Sequence, residues 1–177
     1  MTVDTSTGGY LPEPVSDSRL DAAFHGLLVG VTLLPGELVR PAFQDTKPLI
    51  PNNNVNWIAY NIEDSEPDDN PQIQVGVYTR NSALKLSVFA YGPLSHEYLR
   101  AVVNGITIKQ NLEALMSQGL VYKKLDSSLT QMNELFNNQW YKRWHVSLLF
   151  GLHEQLTDSR ILDILSSDPI TIHNGGA

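Results

Sequence analysis

Between Trp140 and His153, apolar and polar side chains alternate with a period of two. The even positions Trp140, Trp144, Val146, Leu148, Phe150 and Leu152 are apolar, interrupted only by Lys142, while Tyr141, Arg143, His145, Ser147, Gly151 and His153 make the odd positions mostly polar. Successive strand residues point to opposite faces, so the pattern predicts one long strand, with one face on a core and the other free. That commits the chain to a sheet.

Four shorter segments read as further strands. Leu38 to Phe43 contains Pro41, which restricts it to an edge or a bulge. Val55 to Glu63 follows a Pro51-Asn52-Asn53-Asn54 turn and carries Trp57, Ile58, Tyr60 and Ile62. Gln72 to Tyr78 sets Ile73, Val75 and Val77 against Gln72, Gln74 and Gly76, and Ala83 to Tyr91 sets Leu84, Leu86, Val88 and Ala90 against Lys85 and Ser87. The short Arg80-Asn81-Ser82 linker between them predicts a hairpin, and successive hairpins predict antiparallel pairing. Leu120 to Leu125 is a further short strand, followed by a polar connector through Asn137-Asn138. A strand near Ile170 to His173 is expected in the tail.

Two segments carry the helical period. Leu20, Ala23, Phe24, Leu27, Leu28 and Val31 follow the spacing of one helix face, with an N-cap oxygen available from Ser16 to Ser18 and a stop at Pro35-Gly36. After Gly92-Pro93, Ser95 is the expected cap of a long helix with Tyr98, Ala101, Val102, Ile108, Leu112 and Leu115 on one face, ending at Gly119. Without internal repeats or an evident linker, residues 17–177 are expected to form a single domain behind a flexible arm, residues 1–16.

Size and charge narrow the function classes. At 177 residues a chain buries about 70% of its unfolded surface, so a core needs no staple. With no cysteine there is no thiol nucleophile, disulfide or Cys-based zinc site. The longest apolar runs, Leu27 to Val31 and Val146 to Leu152, fall far short of the roughly 20 residues of a membrane helix, so no membrane partner is expected. Net charge is −7, and residues 1–69 alone hold 11 acidic and 3 basic side chains, or −8. A half so charged repels phosphate and excludes tight nucleic-acid binding through it.

No phosphate-binding loop, dinucleotide fingerprint, nucleophile elbow or His-Glu-x-x-His helix is present, and no cofactor is expected. Glu63, Asp64, Glu66, Asp68 and Asp69 place five carboxylates in seven residues. Their spacing is not that of a calcium loop, and a solvated strand end and turn is the expected reading. Repeated around a channel, such loops would instead repel DNA. His145 and Ser147 share a strand face, but residues two apart lie about 6 to 7 Å apart along a strand, which disfavours a nucleophile and its base. Trp140, Tyr141, Arg143 and Trp144 are interface-type residues; Trp144 is assigned to the core, and Tyr141 and Arg143 to a mixed or interface role.

In order and pattern the chain resembles the neck or tail terminator proteins of tailed bacteriophages. The resemblance rests on residues 38–43 (Leu-Val-Arg-Pro-Ala-Phe), 56–62 (Asn-Trp-Ile-Ala-Tyr-Asn-Ile), 86–93 (Leu-Ser-Val-Phe-Ala-Tyr-Gly-Pro), Gln110-Asn111 with Leu115, and Trp140 to Arg143. It covers roughly residues 20–157 and implies an α+β fold, a mainly antiparallel sheet with two principal α-helices packed on it. It further implies a structural virion protein without enzymatic activity, a homo-hexameric ring assembled in the host cytoplasm that caps the tail tube and joins it to the head connector. DNA would pass through the bore without sequence-specific binding. In that setting Glu63, Asp64, Glu66, Asp68, Asp69, Tyr141 and Arg143 are the candidate interface or channel-facing residues. The alternatives are a tube or baseplate subunit of a contractile tail or injection machine, and a small hydrolase using His145 and Ser147 or a metal at the acidic run.

Overall fold

The computed structural model describes residues 17–42, 54–66, 72–74, 77–136 and 138–157. Helix α1 (Asp17–Thr32) leads through a short 3-10 turn into strand β1 (Val39–Pro41), followed by β2 (Trp57–Glu66), β3 (Gln72–Gln74) and β4 (Val77–Tyr91). Helices α2 (Ser95–Ile106) and α3 (Lys109–Met116) come next. The chain finishes with β5 (Leu120–Leu125), β6 (Thr130–Gln131), β7 (Glu134–Phe136), β8 (Gln139–Tyr141) and β9 (Arg143–Thr157). The main sheet runs β1-β2-β4-β9-β5, with β3 added to β4 and β6 to β9, while β7 and β8 form a separate two-stranded ribbon. Among the described residues, only β1 pairs in parallel, with β2. The fold is α+β and mainly antiparallel, as expected.

β4 and β9 pair along their whole length, from Val77 opposite Thr157 to Tyr91 opposite Arg143. The even residues of both face the helices: Leu84, Leu86, Val88 and Ala90 meet Val146, Leu148 and Phe150, all nearly or fully buried. Against them α1 lays Leu20, Phe24 and Leu28, and α2 lays Leu99, Val102 and Ile106. The Phe24 and Phe150 rings meet edge to face at 5.0 Å. Truncating such a fully buried Leu leaves a cavity that costs about 2 to 5 kcal/mol. Among the described residues, no helix is long and apolar enough to cross a membrane.

Several sequence expectations are corrected. Arg80-Asn81-Ser82 is not a hairpin turn: it lies inside β4, opposite Glu154, His153 and Leu152. β9 is long enough to template β4 through this stretch, and Asn81 Oδ1 lies 2.7 Å from His153 Nδ1. The expected strand Gln72 to Tyr78 is instead divided between β3 and β4, with Gln74 paired to Val77. The long second helix is two helices. The β-branched run Ile106-Thr107-Ile108 suits a helix interior poorly, Ile108 is extended (φ −70°, ψ 132°), and the Asn111 side chain donates to the Gly105 carbonyl at 2.7 Å.

Ser95 is not the cap of α2. Leu94 occupies that position without a side-chain cap bond, and its N–H donates to Asn56 Oδ1 at 2.8 Å. The buried Ser95 Oγ has no partner among the described residues. The polar connector contains β6 and β7, and Trp140 belongs to β8 rather than to the long strand, which starts at Arg143. Phe43, the arm 1–16 and the expected strand at Ile170 to His173 lie outside the described residues.

Gly92 (φ +98°) is required at the end of β4, because a Cβ there would sit 2.6 Å from the Val55 carbonyl oxygen. The exposed positions of α1 present the opposite case. Gly26 and Gly30 have nothing within 4 Å of where a Cβ would stand, whereas a Cβ on Gly105 would meet Val31 Cγ1 at 2.7 Å. Gly26→Ala and Gly30→Ala are therefore expected to raise the stability of the isolated chain by about 0.5–1 kcal/mol each, and Gly105→Ala to lower it. Urea unfolding of the three variants checks the contrast.

Candidate functional site

The sheet face away from the helices is built in rows across β2, β4 and β9. Register places Trp57, Tyr91 and Arg143 in one row, Ala59, Phe89 and His145 in the next, then Asn61, Ser87 and Ser147, then Glu63, Lys85 and Leu149. Neighbours in and between rows interlock. Trp57 stacks on Tyr91 (4.1 Å between centroids, 7° between planes), and Phe89 stacks on His145 (4.7 Å, 24°). The Arg143 guanidinium lies over Phe89 at 4.6 Å and over Tyr91 at 5.9 Å, a geometry in which the aromatic quadrupole attracts the cation.

Arg143 also ties this face to the β7–β8 ribbon. Its Nη1 donates to Glu134 Oε2 at 2.8 Å, and the same carboxylate oxygen accepts from the Tyr91 hydroxyl at 3.2 Å. Its Nε is buried with no partner among the described residues. Burial raises the Tyr91 pKa; the neighbouring Arg143 charge opposes that rise and Glu134 adds to it. Trp144, assigned to the core from the sequence, packs against it at the edge, and its ring meets His96 at 4.3 Å.

Ser147 and His145 are closer than their spacing along the strand suggested: the side chains lean together, with Nε2 3.1 Å from Oγ. The pair nonetheless lacks the rest of a nucleophilic site. Ser147 is 1% exposed, and it is closed in by Ser87 Oγ at 3.5 Å and by Ser127, whose hydroxyl accepts the Ser147 N–H at 2.9 Å. No carboxylate among the described residues orients the other imidazole nitrogen, the third element such a site needs. The arrangement is a polar cross-link under the loop that leaves β5, and that loop is held by the Lys85–Asp126 ion pair at 3.1 Å.

The acidic run does not form one cluster. Glu63 stands opposite Lys85 on the rows described above and accepts from Asn61 Nδ2 at 2.6 Å. Asp64 is on the helix side, at a cleft of about 300 Å³ that also involves Leu20, Asp21, Pro41, Ile62 and Leu84. Glu66 follows a register shift and pairs with Ala83 through the backbone, and Asp68 and Asp69 lie outside the described residues. No group of three His, Asp or Glu among the described residues could hold a metal ion.

Tyr141 and Arg143 sit next to an exposed pair that periodicity concealed. Leu135 and Trp140 face each other across β7 and β8 and are 53% and 66% exposed. Two signals were available: Lys142 breaks the alternation where β8 ends, and Asn137-Asn138 between Leu135-Phe136 and Gln139-Trp140-Tyr141 is a hairpin pattern. Asn138 indeed adopts the left-handed conformation, with φ 62°.

Burial lowers the His145 pKa below its ordinary 6.5, helped by the nearby Arg143 and Lys85 charges. As pH falls through 6.5 the unfolded chain takes up a proton that the folded ring resists, so stability present above that value is lost toward the depressed folded value. Unfolding measured at about pH 7.5 and about pH 5.5 is expected to show a larger loss for the wild type than for His145→Gln. Equal losses would contradict the assignment.

Compared with models of protein families, residues 18–176 match the one described as phage neck terminator protein. No curated protein matches the chain.

Proposed function

Because this chain belongs to the phage neck terminator protein family, we propose that it is a ring subunit that caps the tail tube and joins it to the head connector. The observation that carries this reading is the extent of the family match, which takes in every described element but the first residue of α1. The role is one of assembly, carried out by surfaces rather than by a reaction centre. The chain acts in the virion at the neck and assembles in the host cytoplasm. Its partners are copies of itself, the tube end and the connector.

The described surface supports an assembling subunit. Past Arg19, the exposed positions of α1 are Ala22, Gly26 and Gly30, followed by Leu33, which is 87% exposed. A helix face meant for water ordinarily carries charged side chains; this one carries none between Ala22 and Leu33. Met116 and Trp140 are also more than half exposed. Exposed apolar surface of this kind marks contact sites. The exposed Glu63, on the sheet face away from the helices, suits a ring through which DNA passes unbound, since a carboxylate repels phosphate. A closed ring has a discrete mass, and six copies of 19.7 kDa make about 118 kDa.

Phage produced without this chain is expected to leave filled heads and unattached tails, counted in electron micrographs, with tubes of uncontrolled length. Joined, infectious particles assembled in its absence would contradict the reading.

A further inference from the structure

The β7–β8 ribbon has one face turned to its own sheet and one turned away. Glu134 is held by Arg143 and Tyr91, and Tyr141 is its cross-strand partner, so this pair defines the anchored face. Leu135 and Trp140, one residue along each strand, therefore point the other way, which accounts for their exposure. A two-stranded ribbon is marginal by itself; this one holds an indole and an isobutyl group clear of the body. Lys142, exposed, follows immediately.

The cleft at the start of α1 has complementary chemistry. Its lining joins Leu20, Pro41, Tyr60, Ile62 and Leu84 to the polar Asn61 and the charged Asp21 and Asp64, with no basic side chain among those that line it. An indole suits that lining and an ammonium group suits the two carboxylates. The two surfaces cannot meet within one molecule. The cleft lies on the helix side of the sheet at Leu84, whereas the ribbon is anchored through Tyr91 and Arg143 on the other side. Leu84 and Tyr91 are about 23 Å apart along β4 at ~3.3 Å per residue.

We propose that Trp140 and Leu135 of one copy dock into the Asp21/Asp64 cleft of a second copy of this chain, with Lys142 facing the two carboxylates. The contact is head-to-tail, the kind that propagates from copy to copy and forms a ring when its rotation closes. It rests on the reading of the chain as a self-assembling neck subunit and names the surfaces that reading leaves open.

Sedimentation of the full chain tests it with a hairpin variant (Trp140→Ala) and a cleft variant (Asp21→Lys with Asp64→Lys). Circular dichroism establishes that both are folded, and Lys142→Glu serves as a second, exposed hairpin change. The wild type is expected to self-associate, and each variant alone to do so about thirtyfold more weakly or worse, as for a buried aromatic anchor. Mixed, the two are expected to form a one-to-one pair and stop there, because each supplies the half that the other lacks. A hairpin variant with wild-type association, a mixture that stays monomeric, or a wild type that is monomeric at every concentration would overturn the docking. The neck reading is judged separately, by labelling the wild-type chain at the head–tail junction of particles, and it can stand when the docking fails.

Discussion

The uninterrupted pairing of β4 with β9, two strands of 15 residues each, is the constraint on which the rest of the structure depends. It sets the even residues of both strands on one side, where Leu86 and Leu148 are buried beneath α1 and α2. It sets the odd residues on the other, where Tyr91 meets Arg143, Phe89 meets His145 and Ser87 meets Ser147. A slip of one residue would exchange the two sets and bury Arg143 in the core. Both the helical layer and the anchorage of the β7–β8 ribbon follow from that single register.

Where local pattern and tertiary packing agree, the sequence alone was enough. The alternation from Val146 to Leu152, the Leu20-Phe24-Leu28 face of α1 and the bounds of β5 could all be read without coordinates. Disagreement arose where a distant partner overrides a local signal. Arg80-Asn81-Ser82 has turn composition but lies in a strand because β9 extends far enough to pair with it. Ser95 has the composition of a cap, yet the backbone places Leu94 there, held by Asn56. The break at Thr107 has a local cause in its β-branched neighbours, and Ile108, counted on the buried face, is half exposed in consequence.

The candidate site was legible in composition more than in geometry. Tyr141 and Arg143 are interface candidates by residue type, but Arg143 is engaged by Phe89, Tyr91 and Glu134 inside the molecule, and the exposed member of the cluster is Trp140. The acidic run reads as one patch in one dimension; on β2, strand alternation sends Glu63 and Asp64 to opposite faces. His145 and Ser147, a suggestive pair on paper, are closed beneath the Ser127 loop and act as a cross-link. The family could be recognised from order and pattern, whereas the angle at which copies meet is a property of two surfaces and is written in no single stretch of sequence.

Amide hydrogen exchange on the isolated chain tests the central claim most directly, since protection rises toward the global stability in the elements that open last. The account predicts that the slowest amides lie in the paired stretch Leu84 to Ala90 and Trp144 to Phe150, with α1 and the β7–β8 ribbon exchanging earlier. Slowest exchange in α1 or α2, with β4 and β9 opening before them, would contradict it.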